Sequence, residues 1–397
     1  MKKIISIKPA LFTIMLLPIF SPAYFLQFSL FYEINNALLC VTYACIGCII
    51  IYNVKKGRRI QLPGWIVLVF FIVVNIATIR QGYNHSAINY SLLGLMPCML
   101  YASSSGRDRK DIIQALLIIH IVLILSNLIS IILFPSGMSY NSITMYRNYY
   151  FLGHKNTQVK IMFPGIVYSV FYDEIKYKRV RFRSYVLTAI VLISSIICDS
   201  VTAIIGISIL SIYFVLYPLK KISNKVSSFI TAKTILVGYV VVFIVLVILG
   251  NGAFLGPIVG WLGRNSTFTG RTMIWNQVAR MILRKPILGY GYITSLEGYV
   301  SLWNYVPSGA HNLVLDVLLR GGLVLLGVLI VLLILCAKTI DNYSINYTLF
   351  PTWVLMTYAV MWEFEVYVNS GYVDMFLVLL IMSIGIPLAK EEIIINE

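Results

Sequence analysis

The feature that most constrains this chain is the recurrence of apolar runs about twenty residues long, separated by short polar or basic connections. The runs lie near 9–30, 34–53, 62–79, 86–103, 112–134, 157–173, 184–198, 200–217, 229–250, 312–336, 347–366 and 371–389. A helix rising ~1.5 Å per residue crosses a hydrocarbon layer of ~30 Å in about twenty residues. In lipid each such segment must also satisfy its own backbone polar groups, which a helix does. The expectation is an all-α polytopic membrane protein of twelve transmembrane helices, a single integral membrane domain over 1–397. With 59% hydrophobic and 12% charged residues and a mean hydropathy of +0.86, a soluble enzyme of this size is excluded. The 36 residues between the basic clusters at 176–183 and 220–225 suit two short spans on either side of Asp199 better than one long span. The opening Met-Lys-Lys followed by apolar residues imitates a signal peptide. No cleavage site of the small-residue type follows before the second run, so the first helix is expected to be retained.

Charge orients the spans. With a cytoplasmic N-terminus, twenty-one of the 31 basic residues fall in inner connections, which satisfies the excess of cations expected on the cytoplasmic side and places both termini there. The ten left outside or at outward-opening helix ends are Arg80, Arg147, Lys155, Lys160, Arg264, Arg271, Arg280, Arg284, Lys285 and Arg320. Five of these share one external loop, 251–311, far longer than neighbouring helices need. Either the loop is merely solvated, or it carries an outward-facing site for an anion. The basic residues form short runs without interleaved aromatics, so nucleic acid is not an expected partner. All six cysteines lie in apolar stretches, where a thiol packs as a small hydrophobe. The Cys45-x-x-Cys48 spacing stands alone, without a second pair. No carboxylate cluster or His-rich motif has metal-ligand spacing, and no metal or cofactor is expected. Internal repeats of the kind that build alternating-access transporters are not visible.

Within the loop, residues 268–292 read FTGRTMIWNQVARMILRKPILGYGY. Gly270 breaks the chain and Thr269 suits a cap. Met273, Ile274, Val278, Met281 and Ile282 recur at helical spacing up to Arg284, which suggests an amphipathic helix lying on the membrane surface. Its cations Arg271, Arg280 and Arg284 would meet either headgroups or a substrate phosphate. Pro286 and Gly289-Tyr290-Gly291 end the helix, the glycines serving either a turn or the close approach of a bulky ligand. The tenth span then opens AHNLVLDVLLRGG. Asn312, Asp316 and Arg320 recur every four residues and form one polar stripe, with Asp316 and Arg320 able to pair. Such a stripe is too costly to leave in lipid, so it faces the interior or a wet cavity. His311 stands at its outer mouth with a side chain able to titrate near neutrality. Arg80, the RNYYFLGHKN segment with Arg147, His154, Lys155 and Asn156, Asp199 at a hairpin tip, and Glu363 and Glu365 at the penultimate outer mouth are further polar groups at membrane edges, each compatible with interfacial anchoring. His85 and His120 have no supporting spacing and are read as structural.

The ordered elements Gly270-Arg271 with Trp275, Pro286 followed by Gly289-x-Gly291, and His311-Asn312 with Gly321-Gly322 resemble the Wzy-type polysaccharide polymerases and O-antigen ligases over about 60 residues. The topology, with its large late external loop, resembles theirs over nearly the whole chain. Arg147 with Gly153, His154 and Asn156 resembles a looser segment of that family. Ser200-Val201-Thr202 departs from its Ser-(Arg/Lys)-Thr turn, and Lys155 or Arg264 could supply the missing cation. The resemblance implies a metal-independent, GT-C-like glycosyltransferase of the bacterial cytoplasmic membrane whose site faces outward. It would polymerise repeat units linked to undecaprenyl diphosphate. The alternatives are a ligase passing finished glycan to another acceptor, or a transporter of lipid-linked sugars. The implied partners are the lipid-diphosphate-linked oligosaccharide, membrane lipid and, for a polymerase, a chain-length regulator. His311 is the expected base and Arg271 the expected stabiliser of the leaving diphosphate, with Arg147, Lys155, Arg264, Arg280, Asn312, Asp316 and Arg320 as substrate-binding candidates.

Overall fold

Among the described residues, each of the twelve apolar runs contains helical structure. The computed structural model describes residues 8–82, 85–141, 146–219, 230–250, 271–293, 309–342, 345–365 and 372–385, with side chains at 85, 140–148, 343–348 and 385 outside the description. The helices are α1 (Lys8–Leu16), α2 (Ser29–Lys55), α3 (Leu62–Ile79), α4 (His85–Ser103), α5 (Gly106–Leu133), α6 (Val159–Tyr177), α7 (Phe182–Ile197) and α8 (Val201–Leu216). They continue with α9 (Ala232–Phe243), α10 (Arg271–Arg284), α11 (Leu313–Asp341), α12 (Ile345–Phe364) and α13 (Val373–Leu380). A small antiparallel sheet, β1 (Ser139–Asn141), β2 (Tyr146–Tyr150) and β3 (Gly153–His154), interrupts them in the order β1-β2-β3. α2, α3, α5 and α11 are long and apolar enough to cross a membrane. With the apolar character of the other runs, this makes the chain a helical membrane protein.

The first run departs from expectation. α1 tightens into a 3₁₀ turn at Leu17–Phe20 and the helix stops there, so 9–30 is not one continuous span. Pro18 at the start of that turn and Pro22 just beyond it withhold the amide hydrogens a longer helix would need. The run at 184–217, by contrast, divides where Asp199 invited it to: α7 and α8 flank a turn in which Asp199 adopts a left-handed φ of 50°.

The described residues form two compact units, each considered by itself. In the first (1–67, 92–200 and 373–397), α5 packs against α1, α6 and α7, and α13 packs against α6. Ser105 caps α5 by accepting from the Asp108 amide, and the buried Arg109 donates to the carbonyls of Tyr101 and Ala102 that end α4. Gly165 allows α6 to close on α5, since a Cβ there would lie 2.7 Å from Ile124 Cδ1 and 2.9 Å from His120 Cβ. His120 is fully buried, with Nε2 3.1 Å from Asp374 Oδ1, an oxygen that Tyr168 also reaches at 2.9 Å. Its structural reading therefore rests on partners 254 and 48 residues away, and not on local spacing.

In the second unit (68–91 and 201–372), α12 packs against α8, α9 and α11, and α10 packs against α11. Asp341 at the end of α11 accepts from the Ala232 and Lys233 amides and so satisfies donors that the first turn of α9 leaves free.

Candidate functional site at three helix ends

The helix expected over Arg271–Arg284 forms as its spacing predicts, but its apolar face does not lie in lipid. Ile274, Trp275, Val278 and Met281 are buried against Leu315 and Leu319 of α11, Leu246, Tyr290 and Ala310. Docking onto the protein removes more apolar surface than half-immersion would, so α10 is a wall of the second unit. Met273, the exposed Leu283 and the cations Arg280 and Arg284 are left on its outer side.

The glycines are spent in the same place, on the chain's own backbone. α11 breaks at Gly322, whose φ of 60° and ψ of −157° are not helical. Across that break the Leu323 amide donates to Pro286 O at 2.8 Å and the Val324 amide to Ile287 O at 3.3 Å. In the opposite sense, Tyr290 and Gly291 amides donate to Leu319 O and Arg320 O, both at 2.8 Å. Gly289 (φ 58°) and Gly291 (φ 74°) have no room for a side chain: a Cβ would sit 2.5 Å from Leu319 O in the first and 2.4 Å from Thr78 Cα in the second. The Gly-x-Gly and Gly-Gly signals are thus two halves of one backbone clamp. The ligand-approach expectation for the glycines gives way to close approach of the protein to itself.

This clamp positions the polar stripe. Asn312 caps α11, its Oδ1 accepting from the Leu315 amide. Asp316 and Arg320 are fully buried, with Arg320 Nε donating to Asp316 Oδ2 at 3.0 Å and Nη1 to Ile293 O at 2.8 Å. Tyr372, itself at a left-handed φ of 55°, donates its hydroxyl to the same Asp316 oxygen at 2.7 Å. Immediately before the cap, His311 is held at a φ of 50°. A non-glycine residue there costs about 1 kcal/mol or more and persists only where its surroundings insist on it.

The end of α12 joins these parts. Glu363 Oε2 accepts from Asn312 Nδ2 at 2.9 Å, and two residues on Glu365 Oε1 lies 3.4 Å from Arg271 Nη2. Arg271, the first residue of α10, also stands 5.6 Å from the centre of the Phe364 ring and keeps 17% of its side chain exposed. The starts of α10 and α11 are therefore both held at the end of α12, by Glu365 just past it and by Glu363 within it. Glu363 and Glu365 are each 2% exposed, which replaces the expectation of interfacial anchors with that of internal partners. Their sequence signal was the closeness of two acids at the end of an apolar run; Tyr372 had none.

The other expected residues fall elsewhere. Lys155 lies in the first unit, 3.3 Å from Asp199, where Asn156 Oδ1 also accepts from Ser200 Oγ at 3.1 Å. Of the two cations named for the Ser200-Val201-Thr202 turn, Lys155 pairs with Asp199. His154 beside it is pushed down to about 4 by burial and by Lys155 and Lys160, so its imidazole is neutral at physiological pH. The Arg147 side chain and all of Arg264 lie outside the described residues, as do 251–270 and 294–308 of the expected external loop.

A protein of Rickettsia typhi named “Putative polysaccharide ligase” is 28% identical over 186 residues, 41% of this chain and 42% of the relative. One of the same name from Rickettsia prowazekii is 26% identical over 185 residues, with the same shares covered. The aligned stretch thus takes in less than half the length of either relative. A family model described as O-antigen ligase matches residues 184–330, so that the stretch running from α7 through α10, the clamp and the opening of α11 is similar to the O-antigen ligases.

Proposed function

We propose that this protein is a GT-C-type membrane glycosyltransferase that moves a glycan from undecaprenyl diphosphate to an acceptor hydroxyl at the outer face of the bacterial cytoplasmic membrane. Both termini would be cytoplasmic and 251–311 external. The observation that carries the reading is His311, strained into a left-handed conformation directly ahead of the capped start of α11, with Arg271 tethered to the same end of α12. In the reaction the acceptor oxygen attacks the anomeric carbon and gives its proton to the His311 imidazole. The anomeric C–O bond breaks and its electron pair leaves on the diphosphate. The Arg271 guanidinium meets that growing negative charge, for which its planar fork is suited. Arg264 and Arg280 are the candidates for further phosphate contact. Asn312, Asp316 and Arg320 act by holding the mouth of α11 in place.

A specific observation supports ligation of finished glycan beside polymerisation: the matching family model and both relatives carry the ligase description. The two readings share donor, site and proton transfer and differ in the acceptor. His311→Ala is expected to leave insertion and donor binding intact while slowing transfer by roughly 10²–10⁴-fold, the usual loss without acid–base help. Surface glycan is run as a ladder gel from strains matched for expression. Accumulated single repeat units indicate a polymerase, and long lipid-linked chains left untransferred indicate a ligase. Normal surface glycan with His311→Ala removes the base from this site.

A further inference from the structure

Glu363 is the one acid of the clasp whose bonds do not close. Its Oε2 is taken by Asn312, while Oε1, buried and inaccessible, has no hydrogen-bond partner among the described residues. Glu365 by comparison faces a guanidinium, and Asp316 receives Arg320 and Tyr372. A carboxylate oxygen withdrawn from water without a donor is expensive, and such atoms in native proteins mark the place of a missing partner. A metal ion would want further anionic ligands, and no cluster of three His, Cys, Asp or Glu side chains lies among the described residues. The neighbour that fixes Oε2 is the residue directly after His311, so the unpartnered oxygen lies beside the mouth where the transfer reaction is assigned.

We propose that Glu363 Oε1 is a recognition site for a sugar hydroxyl of the acceptor, which donates its hydrogen bond there while the attacking hydroxyl is served by His311. The inference rests on the glycosyltransferase reading above. It makes Glu363 a specificity-determining residue: an acceptor with a hydroxyl at the recognised position completes the carboxylate, and one without it leaves the oxygen stranded. Asn312 is then a positioning residue that caps α11 with one side-chain atom and aims Glu363 with another.

The test uses the full-length protein in native membranes, with glycolipids extracted from producing cells as donor and acceptor. The competing probes are octyl glycosides of glucose, galactose and N-acetylglucosamine and their 3-, 4- and 6-deoxy forms. In wild type, removal of one particular hydroxyl is expected to weaken competition by roughly tenfold to a hundredfold, the range for leaving a buried polar atom without its partner. In Glu363→Gln that difference is expected to shrink to less than about fivefold, the range for a neutral pair, with differences at the other positions unchanged. Glu363→Asp, which retracts the charge by one methylene, gives the same comparison if the amide variant does not accumulate. Wild-type transfer in which no deoxy position matters, or in which the difference survives both substitutions, overturns the assignment and leaves Glu363 a partner for the protein's own chain. Absence of any transfer by wild type overturns the glycosyltransferase reading itself, so the two failures are distinct.

Discussion

Substitution of Gly322 by alanine attacks the clamp at its tightest point. The residue sits at φ 60° and ψ −157°, a region nearly closed to side chains, and occupying it costs of order 1–3 kcal/mol. The added Cβ would also lie 2.3 Å from both C and O of Ile287, which are backbone atoms and cannot rotate away. Relief of that clash separates Pro286–Ile287 from Leu323–Val324 and gives up two hydrogen bonds worth about 1 kcal/mol each. The expected loss is about 3–5 kcal/mol, a large fraction of an ordinary folding free energy. Gly327 in the same helix is the control: a Cβ there meets nothing within 4 Å, and alanine should be neutral or stabilise by up to about 1 kcal/mol. Thermal unfolding of the purified variants in one detergent measures both. Transfer activity of Gly322→Ala should fall with stability, because Tyr290–Gly291 and the stripe at 312–320 lose their common support. Equal melting midpoints for Gly322→Ala and Gly327→Ala would refute the clamp.

Arg271→Lys should lower transfer at least about tenfold, since lysine keeps the charge but loses the fork that can serve Glu365 and a phosphate together. The exposed Arg280→Lys should stay within about twofold, the scale of a solvated surface charge. Equal activity of the two in a lipid-linked oligosaccharide assay removes diphosphate recognition from the start of α10. For His154, the folded protein holds the imidazole near 4 against its ordinary 6.5, so the neutral ring is favoured in the fold. Stability from this residue is complete above pH 6.5 and is lost as pH falls from 6.5 towards 4, by about 3 kcal/mol in all. Wild type should therefore lose melting temperature over that window more steeply than His154→Gln; parallel curves would contradict the burial of a neutral ring.

The helices were legible because lipid leaves so few options: an apolar run of the right length must be helical, and the basic clusters mark where it stops. Failure came where local chemistry outweighed the run. Pro18 and Pro22 sit in a stretch as apolar as any other, and they end α1 at Leu16 and its 3₁₀ turn at Phe20. The expectation for the Arg271–Arg284 helix failed differently. Periodicity identifies an apolar face but not what covers it, and Ile274, Trp275, Val278 and Met281 fit a protein wall as well as a membrane surface. The glycine signals were visible as backbone freedom, yet whether a ligand or the chain itself approaches them depends on residues 30 or more positions away.

The site was half legible for a related reason. Asp316 and Arg320 are one helical turn apart, so their pairing could be read from spacing; Asn312 with Glu363 and Arg271 with Glu365 are separated by 51 and 94 residues, and no local rule connects them. Physical necessity does constrain such pairs once the helices assemble, because a charge in an apolar interior must find an opposite charge or a full set of donors. Asp316 with Arg320 and Glu365 with Arg271 satisfy that demand with opposite charges. Glu363 has only a neutral amide on Oε2, and its Oε1 has no hydrogen-bond partner among the described residues. The carboxylate is explained when something outside the described structure supplies the remaining donor, and the acceptor hydroxyl assigned to Oε1 is such a donor at the place the proposed reaction needs one.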